Sequence, residues 1–389
     1  MRHAMNSPAH EPDWNPRVDD VQRDQIHAYD EMAGRCPVAF SEMLQWSAFR
    51  HADVMRVLLH PATFSNAVSR HVAVPNGMDP PEHTVYRRVI EPYFSAQRVD
   101  AFEPICREMA DSLALALKRA GEVELIAAFA LPFAVRAQCA FLGWPETLHA
   151  PLAQWLQKSQ AATLAQDRPA LVALALAFDG IVEGLLQTRQ QAGAAAPPDL
   201  TTALMQESVN GAPLSAADIT SILRNWTVGE IGTIAAAVGI LAQWLAEHGD
   251  VQAQLRENSA LVPAAIEEIL RMHGPLATNR RVTTCPVDLG GRSIGAGERV
   301  TIHWTSANRD GHVFDQPDTF RLDRDQSANL LYGAGIHVCP GAPLARMELR
   351  VALQALLSAT SRWQPALGSG AVPAVYPASG FSSLRLLVQ

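Results

Sequence analysis

Three features of the chain predict a mainly α fold with a small β region. Apolar residues recur at three- and four-residue spacing over long stretches, most clearly from Ile219 to Trp244. Residues that begin helices stand ahead of such stretches, as Ser215 and Pro263 do. Strand-like alternation is clear in one segment, Val282 to Trp304, which reads as a β hairpin.

In chain order, Met78-Asp79-Pro80-Pro81 is a turn that runs into a helix, on which His83 and Arg87, four apart, share a face. Two such groups suit a carboxylate ligand and equally suit an exposed basic face. Ser215, with Asp218 three residues later, reads as a capping box at the start of the longest helix. Its apolar stripe runs through Ile219, Ile222, Leu223, Trp226, Ala237, Ile240, Leu241 and Trp244. In the middle stands Val228-Gly229-Glu230-Ile231-Gly232-Thr233. Two interior glycines cost roughly 1 kcal/mol each against alanine, so this stretch either packs closely on a neighbour or leaves room for a ligand. Pro263 opens a further helix with Glu268 and Arg271 one turn apart, by itself an ordinary surface ion pair. Asp288-Leu289-Gly290-Gly291 supplies the turn within the alternating segment.

The segment from Tyr332 to Gly341 carries the chemistry. It sets Cys339 in a glycine-rich loop just ahead of a helix traced by Leu344, Met347, Val351, Leu353 and Leu356. Unpaired N–H groups at that helix start can face the sulfur, lower its pKa and temper the charge of a metal-bound thiolate. Gly335 and Gly341 would let backbone approach a flat ligand, and His337 can reach an anionic group at its edge. On this reading Cys339 is the axial ligand of a heme iron; the plain alternative is a small buried hydrophobe.

The 389 residues could hold two domains, but the one linker-like stretch, Ala194 to Asp199, reads as a loop between helices, so a single domain over 1–389 is expected. A hydrophobic share of 48% is enough to enclose a large core and a cofactor. A formal charge of −8 without a Lys/Arg run argues against a nucleic-acid partner. No uninterrupted run of 18 apolar residues occurs, and the N-terminal stretch with Asp13, Asp19, Asp20 and Asp24 lacks a signal-peptide core. The expectation is a cytoplasmic monomer with no membrane partner. Five scattered cysteines with no Cys-x-x-Cys pair fit a reducing compartment and one functional thiolate.

The spacing Gly-x-His-x-Cys-x-Gly resembles the heme-binding loop of the cytochrome P450 family, usually Phe-x-x-Gly-x-Arg/His-x-Cys-x-Gly. Tyr332 stands at the Phe position. Glu268 and Arg271 are similar to the family's Glu-x-x-Arg and are followed by Asn308-Arg309-Asp310, Phe314, Pro317, Asp318, Phe320 and Arg324. The resemblance implies that Arg324 clamps the first pair in a buried network behind the loop. His83 and Arg87 resemble the family's heme-propionate pair, and Arg281, or its neighbour Arg280, a further propionate arginine. With His337 they would anchor heme b through charge-assisted hydrogen bonds. Such motifs, in family order over nearly the whole chain, imply the cytochrome P450 fold.

The family's distal helix usually reads Ala/Gly-Gly-x-Asp/Glu-Thr-Thr. Aligned on Gly229, the acid position holds Ile231 and the catalytic threonine position holds Gly232, while Thr233 matches the second threonine. Glu230 comes one residue early, and at about 100° per residue it aims elsewhere unless the helix is unwound or bulged there. Proton delivery is then expected from Glu230, Thr233, ordered water or the substrate. The resemblance implies a monooxygenase supplied from NAD(P)H through a ferredoxin or flavodoxin docking on the Cys339 face, with Arg346, Arg350 and Arg107 as candidate contacts. The displaced motif leaves open a hydrogen-peroxide-driven peroxygenase and, more remotely, a non-catalytic heme sensor. The segment between Phe64-Ser65 and Met78 would roof the pocket, with Val68, His71, Val72, Val74 and Pro75 as lining candidates, joined by Trp226, Val228, Gly229 and Leu276. A small, mainly apolar substrate, aromatic or terpene-like, is expected for hydroxylation or O-dealkylation.

Overall fold

The computed structural model describes residues 10–69, 73–117, 121–368 and 370–389. The N-terminal part holds α1 (Asp19–Arg23), α2 (Gln25–Arg35), β1 (Val38–Ser41), β2 (Gln45–Ala48), α3 (His51–Leu59) and β3 (Phe64–Ser65). Next come α4 (Glu82–Ile90), α5 (Ala96–Leu117), β4 (Glu122–Glu124), α6 (Leu131–Leu142), α7 (His149–Ala165), α8 (Arg168–Ala192) and α9 (Leu200–Leu204). The short strands β5 (Ser208–Val209) and β6 (Ala212–Pro213) precede α10 (Ala216–Glu247), α11 (Gly249–Glu257) and α12 (Val262–Met272). The C-terminal part holds β7 (Thr278–Thr283), β8 (Val287–Leu289), β9 (Arg292–Ile294), β10 (Arg299–His303), α13 (Trp304–Asn308) and α14 (Ala342–Ala359). Strands β11 (Trp363–Pro365), β12 (Ala371–Pro373) and β13 (Phe381–Val388) close the chain.

The helices enclose the main core, and the sheets sit at its margins. α10 starts at the anticipated capping box, Ser215 and Asp218 bonding reciprocally, and buries Ile219, Ile222, Leu223, Ile234, Val238 and Leu241. Residues of α5, α6, α10, α12 and α14 share one apolar cluster. The largest sheet runs β1-β2-β10-β7-β3, with β2 and β10 parallel and the other pairs antiparallel. The expected hairpin is therefore β7 paired with β10, and β8–β9 forms a smaller hairpin between them. Gly290 and Gly291 turn β8 into β9 at φ 52° and 79°, and a Cβ on Gly290 would collide with the Val38 side chain.

Two expectations change. α10 is continuous through Gly229 and Gly232, with neither unwinding nor a bulge at Glu230. α8 and α10 each contain an 18-residue window apolar enough to cross a membrane by length and composition, although neither contains an unbroken apolar run. The α10 window is mostly buried as a core helix, whereas only a small share of the α8 window is buried.

Candidate functional site

The Cys339 loop is built as its sequence suggests. Cys339 N–H donates to the Tyr332 carbonyl at 2.8 Å, folding the loop back on itself, and α14 starts at Ala342 with Pro343 in its first turn. The backbone N–H groups of Gly341 and Ala342 face the Cys339 sulfur and draw its pKa down. Desolvation of the sulfur acts more strongly in the opposite sense and holds the thiol above its ordinary value, although the residue as a whole is exposed. The helix-start donors therefore act on Cys339 in the expected sense, and a cation on the sulfur would add to them. Gly335 has φ 71°, but the backbone that approaches it is the Leu58 carbonyl of α3, 2.7 Å from where a Cβ would lie. Its glycine requirement is therefore already set by its φ and by α3. Tyr332 buries its hydroxyl without a partner among the described residues and lies under the Arg346 guanidinium, 4.3 Å from its ring centre.

Behind the loop, Arg271 Nε and Nη2 donate to the two Glu268 oxygens at 2.9 and 3.0 Å. Arg324 Nε donates to Glu268 at 2.7 Å and Gln326 at 2.9 Å. Arg271 also donates to the carbonyls of Asn308 and Pro317, both at 2.7 Å, tying the pair to the segment before the loop. Burial opposes ionisation of Glu268, but bonds from Arg271, Arg324 and Gln326 outweigh it and hold the carboxyl below its usual range.

A second cluster gathers two arginines and two histidines whose ring nitrogens are left short of partners. His83 and His337 stand with ring centres 4.2 Å apart. Both His83 nitrogens and His337 Nε2 are buried without a partner among the described residues. Burial, then His83, Arg281 and Arg87, push the His337 pKa down to about 3. Arg281 is buried and lowered to about 10 by desolvation, whereas Arg280 reaches out to the Tyr376 hydroxyl, so Arg281 is the arginine that faces the cluster. Arg87 is partly engaged, by Glu91 at 2.7 Å and the Val338 carbonyl at 2.5 Å. Unsatisfied donors beside crowded cations call for an anion, and two carboxylates at the edge of a flat ligand would supply it. We expect His337→Ala to weaken heme retention roughly 10- to 100-fold, the 1.5–3 kcal/mol of a charge-assisted hydrogen bond, measured by heme transfer to an acceptor globin.

α10 presents Gly229 and Val228, the latter 46% exposed, and apart from its chain neighbours and the helix's own backbone no described residue comes within 4 Å of where a Gly229 Cβ would be. Leu276, from the segment after α12, is 40% exposed. Gly232 packs toward Leu156 of α7 at 3.7 Å. The Thr233 hydroxyl donates back to the Gly229 carbonyl at 2.5 Å, leaving its lone pairs free to accept. Glu230 points instead into the contact with α14, where its carboxyl meets Glu348. In this structure it is therefore not an acid on the open face, because the unbroken helix turns it away. Trp226 packs its ring on Tyr93 and Phe94, centres 5.8 and 5.0 Å away. Val74 is buried, its N–H donating to Ser221 Oγ and its carbonyl accepting from Asn225. Val72 and His71 lie outside the described residues.

The three candidate docking cations are already paired. Arg346 holds Glu267 at 2.7 Å, and Arg350 and Arg107 share Glu103 at 2.5 and 2.8 Å. Glu348, fully buried on α14, is the polar residue the sequence reading passed over; a lone acid on an otherwise apolar helix face is the signal that would have found it.

A cysteine facing backbone donors, a glycine-bearing long helix and a rim of arginines and orphaned histidines fit a heme-thiolate site. The cytochrome P450 family model matches residues 163–362. Nocardicin C N-oxygenase of Nocardia uniformis subsp. tsuyamanensis is 34% identical over 80% of this chain and 81% of its own. Erythromycin C-12 hydroxylase of Saccharopolyspora erythraea is 33% identical over 82% of each chain. The open structure of cytochrome P450 EryK from S. erythraea superposes with a TM-score of 0.84 at 28% identity, covering 93% of this chain and 95% of that one. The chain belongs to the cytochrome P450 family, and it is a heme-binding monooxygenase.

Proposed function

We propose that this protein uses Cys339 as the iron ligand of heme b and inserts one oxygen atom from O2 into a mainly apolar organic substrate, with electrons from NAD(P)H through a ferredoxin or flavodoxin. The observation that carries the residue assignment is the set of orphaned His83 and His337 nitrogens beside Arg281, on the side of the Cys339 loop where a heme edge needs cations. When bound, heme with a thiolate ligand supplies oxygen activation. The protein's own residues bind, orient and protonate. His83, Arg87, Arg281 and His337 hold the propionates, and the Glu268–Arg271–Arg324 network fixes the loop. With Ile231 and Gly232 at the usual acid and alcohol positions and Glu230 turned away, Thr233 is the hydroxyl of this turn that can order a water for proton delivery.

The substrate would enter through a cleft of about 750 Å³ lined by Val74, Met78, Asp179, Glu183, Ser221 and Arg224. Ser221, Arg224 and Val228 share one face of α10, so this cleft lies along the side that carries the open break. Val228 and Leu276 supply apolar surface, and Asp179 and Glu183 favour a substrate with a polar edge. The named relatives act as a hydroxylase and an N-oxygenase, which supports oxygen insertion over a sensor role.

The displaced motif also supports a peroxygenase reading, since hydrogen peroxide brings its own protons and electrons. Product formation with NADH and a ferredoxin system, run beside hydrogen peroxide alone, separates the two. We expect redox-partner turnover to dominate and Thr233→Ala to lower product per electron pair about 100-fold, the lower end for a positioned proton donor, with Thr233→Ser largely restoring it. Peroxide turnover that matches or exceeds it and is unchanged in Thr233→Ala assigns the peroxygenase instead.

A further inference from the structure

The contact between α10 and α14 contains two acids and no base. Glu348 is 0% exposed, and both of its oxygens and Glu230 Oε1 are buried with no donor among the described residues. Each carboxyl lies in the electrostatic field of the other across this contact, and no described group donates to these three oxygens. Two carboxylates only accept, so a bond between them exists only when one keeps its proton. Two adjacent ions buried without a counter-charge would be expelled or neutralised.

Among the described residues, the groups that act on the pair add no compensating cation. Cys106 of α5 faces both acids, and Tyr332 and Cys339 of the loop face Glu230. On α12, Glu267 is taken by Arg346, and Glu268 and Arg271 by each other. Arg107 of α5 and Arg350 of α14 are held by Glu103.

We propose that Glu230 and Glu348 share one proton at neutral pH, a carboxyl dyad in which Glu348 is the positioning residue that keeps Glu230 in the helix contact and off the open face. The inference rests on the arrangement of α10 and α14, and not on the choice of oxidant or substrate. Burial raises the pKa of both acids, and the like charge across the contact raises Glu348 further. Between the ordinary glutamate value and the raised one, the folded protein holds more protons than the unfolded chain. Stability from the dyad is therefore full at low pH and falls as pH rises through that window.

The test uses heme-loaded wild type, Glu348→Gln and Glu230→Gln, each first shown to keep the thiolate spectrum of its reduced carbon monoxide complex. Infrared difference spectra would be taken in H2O and D2O, with the melting midpoint followed from acid to alkaline pH. The expected wild-type result is a deuterium-sensitive protonated-carboxyl band at neutral pH and a midpoint that declines through neutrality. In both variants the band is lost and the decline flattens, because an amide donates to the remaining carboxylate without needing a proton. Absence of the band in wild type overturns the proposal, and so does a band and slope that persist in both variants. The wild-type spectrum decides even if a variant fails to fold.

Discussion

Glu268→Ala is expected to destabilise the protein by about 3–5 kcal/mol, a large share of the 5–15 kcal/mol that ordinarily separates folded from unfolded chains. The carboxylate sits at 0% exposure and takes two bonds from Arg271 and one each from Arg324 and Gln326. Removing it strands the buried Arg271 guanidinium beside the Arg324 cation, which is the costly way to break such a network. Arg271→Lys should cost nearly as much. One ammonium cannot reproduce a fork that serves both Glu268 oxygens and the carbonyls of Asn308 and Pro317. Glu268→Gln keeps the shape and part of the bonding, and should lose less. Denaturant midpoints at fixed heme occupancy measure all three, and an alanine variant within 1 kcal/mol of wild type would remove the network from the description of what holds the loop.

Cys339→Ser is expected to reduce oxygenated product to the uncatalysed background while leaving the fold in place. The loop is held by backbone, Cys339 N–H to the Tyr332 carbonyl, and that bond survives the change. The donors of Gly341 and Ala342 remain as well, but a serine oxygen does not supply the electron density of a thiolate. Circular dichroism and the melting midpoint should change little, so lost activity will report ligation rather than unfolding. Product formation by Cys339→Ser at the wild-type rate would mean that another residue holds the iron.

What could be read from the chain depended on how locally each feature was encoded. The Glu268–Arg271 pair and the loop from Tyr332 to Gly341 rest on spacings within one turn or one loop, so residue order alone placed them. The capping box at Ser215 and the long apolar stripe behind it were legible for the same reason. Contacts between distant segments were not. Gly335 answers to the Leu58 carbonyl, Arg346 to Glu267 and Arg350 to Glu103, which no local pattern links, whereas Arg107 and Glu103 are a readable i,i+4 pair on α5. The donors that face Cys339 showed in the sequence, whereas the opposing desolvation of its sulfur shows only in the packed structure. Rotation along α10 set Glu230 apart from the usual acid position while the sequence still offered it as a proton donor; what it meets, Glu348, needed the helix packing.

The most direct measurement is the absorption spectrum of the purified, heme-loaded protein after reduction under carbon monoxide, with heme counted per chain. One heme per chain and the strongly red-shifted Soret band of a thiolate-ligated complex are predicted. A band at the position given by histidine or oxygen ligation, or a chain that retains no heme, would contradict the assignment of Cys339.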